Sequence, residues 1–166
     1  SFSRPDINVP RVAGDNELIG QLAAEHLKNR HFKNIAWFST RWGHQHDLRF
    51  LSFARNLDFT AGRWVWEENH KSAKSDDWKN LSKFLTGHLK KIEKPAAIFC
   101  YDDADASCVE SAALRAGYKI PEEIAVLGAG DDEPLCESQI IPLSSVRHDL
   151  EKNGYEGAKL LAALMN

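Results

Sequence analysis

The chain has 166 residues, 43% of them apolar, enough for one domain with its own packed core. Its formal charge of −3 is spread over mixed signs with no like-charge block, which excludes a nucleic-acid footprint in this segment, and no apolar run approaches the roughly 20 residues of a membrane span. Three cysteines, Cys100, Cys108 and Cys136, form an odd set without C-x-x-C spacing, so free thiols in a reducing cytoplasm are expected rather than a disulfide framework.

The opening "SFSRPDINVPRV" carries no element signal and reads as the interior of a longer protein. From Asp15 onward Ile19, Leu22, Ala23, His26 and Leu27 recur at helical spacing, with Asp15, or Asn16 beside it, as the N-cap of a helix to about residue 30. "NIAWFS" (34–39) predicts a buried strand, "DLRFLSFARNL" (47–57) a helix and "RWVWEE" (63–68) a second strand. Trp78, Leu81, Leu85 and Leu89 mark a helix that Pro95 helps to close off before the strand "AAIFCY" (96–101). A helix over 103–116 stops at Gly117, a natural C′ residue. "IAVLGA" (124–129) and the shorter "SSVRH" (144–148) are strands, and 150–164 is a final amphipathic helix.

Alternating strands and helices imply an α/β fold, a parallel sheet with helices on both faces, because parallel strands need crossover connections. Ligands of open parallel sheets bind beyond the carboxyl ends of the strands. The pairs Asp102-Asp103 and Asp131-Asp132, and the loop "TRWGHQHDLR", all fall at that edge. One rim would then gather Trp42, Arg49, Asp102 and Asp131. Carboxylates and a guanidinium fix hydroxyl directions while an indole covers the apolar face of a sugar ring, so a polyol is the natural guest.

Plainer readings compete for several of these residues. Asp103, at the start of a helix, is expected to be its N-cap, leaving Asp102 without a capping role and as the ligand candidate. Asp131, Asp132 and Glu133 also read as a solvated acidic loop, and Arg49 as a surface residue or a partner of Asp47. Paired carboxylates suit a glycosidase, yet none of the usual nucleophile or phosphate-loop motifs accompanies them, and "GAG" precedes an acidic loop rather than a helix. "HQH" (44–46) lacks a cysteine or acid at metal-site spacing, so neither metal nor cofactor is expected.

Taken in order, "VAGDNELIGQLAAEHLKNRHFKNIAWFS", "RFLSF", "PAAIFCYDDADA", "AGYKIPEEIAVLGAGDDE" and "PLSSVRHDLEKNGYEGAKLLAALM" resemble the effector domain of LacI/GalR-type transcriptional regulators. The last two stretches are most similar to xylose-operon regulators, which join such a sensor to a C-terminal AraC-type DNA-binding region. The resemblance implies a type I periplasmic-binding-protein-like fold of two lobes. Residues 1–14 would be the crossover from a first lobe, 15–142 the second lobe, and 143–166 a return strand and helix belonging to the first. It also implies a cytoplasmic, non-enzymatic homodimer that senses a xylose-like sugar by lobe closure and touches DNA through a region outside this chain. An exported sugar-binding protein of a transport system shares the fold and is the alternative.

Residue by residue, Arg49 of "RFLSF" matches the arginine that such sensors place on sugar hydroxyls. Asp102 matches the polar residue just ahead of the helix-starting Asp103. The third family contact, an aspartate directly after the next strand, is replaced by Gly130, with Asp131 one position late. Either Gly130 takes positive φ and turns Asp131 into the vacated place, or the contact is lost.

Overall fold

The structure, a computed structural model, describes residues 10–40, 43–57, 62–66 and 77–165. Helices α1 (Asn16–Asn29), α2 (His44–Arg55), α3 (Asp77–Lys91), α4 (Asp103–Arg115), α5 (Glu133–Ser138) and α6 (Leu150–Met165) alternate with strands β1 (Asn34–Ser39), β2 (Gly62–Val65), β3 (Ala96–Cys100), β4 (Ile124–Gly130) and β5 (Ser144–Arg147). The strands form one sheet in the order β2-β1-β3-β4-β5, every neighbouring pair parallel. All five carboxyl ends therefore lie along one edge.

Strand side chains alternate between faces, so the near-continuous apolar runs of β1 and β3 feed two cores. Ala36, Phe38, Ile98 and Cys100 pack with Leu85 and Leu89 of α3 and Val109 of α4. On the other face Ile35, Trp37, Ala97 and Phe99 pack with Ile19 and Leu27 of α1 and Phe53 of α2. Trp37 is fully buried, with the rings of Phe50, Phe53, Phe99 and Tyr101 around it at 5.1–6.3 Å. Helices α1 and α2 touch backbone to backbone at Gly20, where an added Cβ would stand 2.4 Å from the Arg49 carbonyl oxygen. That contact fixes where α2 presents Arg49.

The expected N-cap of α1 is in place, Asp15 Oδ1 accepting from the Leu18 N–H at 2.9 Å. Three elements differ from the sequence expectation. Helix α2 begins at His44 rather than at residue 47, because Gly43 at φ 124° starts the turn. The acidic stretch after β4 is not all loop: Asp132 caps the short helix α5, accepting from the Leu135 N–H at 3.2 Å.

The third concerns residues 143–166, expected to belong with a first lobe. Strand β5 pairs with β4 from Leu127–Ser144 to Gly130–Arg147 and is the sheet's edge strand. Helix α6 has no buried residue, and Leu150, Tyr155, Leu161, Leu164 and Met165 are each more than half exposed. No described helix is long and apolar enough to cross a membrane.

Candidate ligand-binding rim

Beyond the end of β3 the two aspartates exchange the duties expected of them. Asp102 is the N-cap of α4: its backbone is extended at φ −144° and its Oδ1 accepts from the Asp105 N–H at 2.9 Å. Asp103, already inside the helix, turns toward β4 and is buried at 3% exposure. Its Oδ1 accepts from Ser145 Oγ at 2.6 Å and its Oδ2 from the Asp132 N–H at 2.9 Å, so one carboxylate ties α4 to β5 and to the cap of α5. The "GAG" of β4 makes room for it. A Cβ on Gly128 would sit 2.2 Å from Asp103 Oδ1, and one on Gly130 would sit 2.8 Å from Oδ2. Asp105, also buried, accepts from the N–H and hydroxyl of Thr40 at 3.1 and 2.6 Å and so secures the end of β1.

Arg49 lies beneath the rim rather than on it. It is 4% exposed, its Nε donates to Asn16 Oδ1 at 2.9 Å, a terminal nitrogen donates to the Tyr101 carbonyl, and its Cζ stacks 4.4 Å from the Tyr101 ring centroid. Burial lowers the guanidinium pKa, while Tyr101, Asp102 and Asp103 oppose the shift. Burial overturns the reading of Arg49 as a surface residue, and Asp47 pairs with Arg63 at 2.6 Å.

Gly130 adopts φ 142° and Asp131 φ 57°, so the chain does turn differently after β4. The Asp131 N–H donates to Ser145 Oγ at 3.0 Å, and its carboxylate meets Arg147 Nε at 2.9 Å, not Arg49. Asp131 and Asp102 do come together. Both line an open cavity of about 580 Å³ with Asp132, Leu135, His148 and Leu150.

His148, the first residue after β5, is the member that sequence reasoning passed over. Its Nε2 is buried and has no hydrogen-bond partner among the described residues. Burial, and then Arg49, lower its pKa, with Asp103 acting against them, so the ring favours its neutral form. A neutral imidazole offers one donor and one acceptor, matching a hydroxyl. The available signal was its position, directly after a strand at the ligand edge. Trp42 and the side chains of His44 and His46 lie outside the described residues.

A family described as periplasmic binding protein-like domain matches residues 24–166. The xylose operon regulatory protein of Haemophilus influenzae is 26% identical over 177 residues, covering 100% of this chain and 44% of that protein. The HTH-type transcriptional regulator GntR of Pseudomonas aeruginosa is 30% identical over 151 residues, 88% of this chain and 42% of the regulator. A solved structure of xylose-binding transcription activator xylR superposes with a TM-score of 0.79 at 23% identity, over 95% of this chain and 42% of that one. The chain thus spans less than half the length of these relatives.

Proposed function

The chain belongs to the periplasmic binding protein-like domain family, and from that premise we propose that its rim binds the sugar effector of a bacterial transcriptional regulator. One observation carries the reading: Asp102, Asp131 and His148, the last with a buried ring nitrogen that has no partner among the described residues, line one cavity at the carboxyl ends of the strands. Two carboxylates accept from hydroxyls, the neutral imidazole both donates and accepts, and Leu135 and Leu150 cover ring C–H groups. Arg49 acts from below, holding the Tyr101 carbonyl next to Asp102. By sequence, Trp42 is the aromatic candidate for the apolar face of the sugar.

Two of the relatives are named for xylose, which makes D-xylose the first candidate. Sensing follows from linkage: a sugar shifts a distant DNA-binding region only by favouring one arrangement of the protein over another. The protein does this in the cytoplasm, without catalysis and as a homodimer, and DNA is contacted by a region outside this chain.

Titration of D-xylose into this chain, followed by amide NMR, is expected to move resonances at residues 102–104, 130–133 and 148–150. The Kd is expected to be weaker than about 10 μM, roughly 7 kcal/mol, because the cavity is open on one side. Asp131→Asn should weaken binding by about tenfold or more and Asp132→Asn little, since asparagine still caps α5. Absence of any saturable change at the rim would reject the reading. Equal, small effects of the two substitutions would leave Gly130 as a lost contact.

A further inference from the structure

The edge of the sheet away from the rim has a second built cavity. The β4–β5 ladder starts only at Leu127–Ser144, so residues 124–126 of β4 are paired with β3 alone. A cavity of about 490 Å³ occupies the uncovered side, walled by Leu27, Phe32, Ile120, Val126, Leu127 and Leu143. Glu110 of α4, 2% exposed, belongs to its lining. Its Oε1 accepts from the Ile141 N–H at 3.2 Å, whereas Oε2 is buried and has no partner among the described residues. Burial raises the carboxyl pKa and the Ile141 N–H draws it back. A buried acceptor without a donor costs about 1–3 kcal/mol and calls for an explanation.

We propose that this cavity is a second binding site, for a neutral hydroxyl compound with an apolar ring: its O–H donates to Glu110 Oε2 while the ring lies against the apolar walls. The volume falls within the range of about 300–1,000 Å³ usual for small-molecule pockets. A cationic amine fits less well, because Arg30 stands in the same lining and would repel it.

Phenol and toluene, nearly equal in shape, serve as probes in amide NMR titrations of the intact chain. Phenol should give saturable shifts at residues 125–127, Ile141 and Leu143 with a Kd of about 1 mM or tighter, and toluene should bind at least about tenfold more weakly. In Glu110→Leu the two should bind alike. Saturating D-xylose should leave these resonances in place, which separates this site from the rim. No saturable shift with phenol, or equal binding of the two probes by the unaltered chain, would overturn the proposal even if Glu110→Leu fails to fold. A Glu110→Leu chain that folds and still prefers phenol would overturn the part given to the carboxylate.

Discussion

Asp103→Ala would remove the acceptor of two donors at once, the Asp132 N–H and the Ser145 hydroxyl, in a site that Gly128 and Gly130 keep open for a carboxylate. We expect a loss of about 2–4 kcal/mol, read from urea unfolding. Asp102→Ala forfeits one cap and should cost about 1 kcal/mol. The sequence showed two aspartates before a helical run, and either can cap. What decides between them is the extended backbone at Asp102 and the glycine-lined space in β4, a neighbour 25 positions on that no local pattern announces.

His148 belongs to the same scale. Its pKa is lowered in the fold, so between that lowered value and the ordinary value near 6.5 the unfolded chain binds more protons than the native one. Its contribution to stability is intact above that window and is lost as pH falls through it; His26 shifts in the same direction. Urea midpoints at about pH 7 and pH 5 should therefore differ less in His148→Gln than in the unaltered chain.

At the level of elements, the alternation of strands and helices was readable because hydrophobic period changes sharply between β1, α2, β3 and α4. Helix α5 was not, since Glu133–Ser138 is under two turns and shows no period; its signals are the cap Asp132 and Pro134 in the first turn. For β5 the strand itself was legible but its partner was not, because pairing with β4 is a tertiary choice. Helix α6 presents an apolar stripe of a kind proteins seldom leave in water. If it forms the homodimer proposed above, light scattering at high micromolar concentration should give a mass above the monomer, and Leu161→Glu with Leu164→Glu should return it to the monomer value. A monomeric mass for the unaltered chain would count against that assembly.

For the molecule as a whole, parallel strands covered on both faces and a ligand edge at their carboxyl ends followed from pattern and from general rules of parallel sheets. The sheet order and the Glu110 cavity did not, because both rest on which distant segments meet: α4 with the residues just before β5, and α1 with α2 through Gly20. Arg49 shows the same limit. Its position in "RFLSF" was plain, but its burial against Asn16 and Tyr101 came only with the packed helices.

The aromatic cage around Trp37 has an optical consequence. An indole sealed among Phe50, Phe53, Phe99 and Tyr101 emits at short wavelength, and the emission should move to the red when urea admits water. The Tyr101 ring also carries the Arg49 guanidinium over its face, and Asp102 follows it in the chain. A sugar seated at the rim is thus linked through Tyr101 to Trp37, one of five tryptophans, and the share of an intensity change that disappears in Trp37→Phe should report that link.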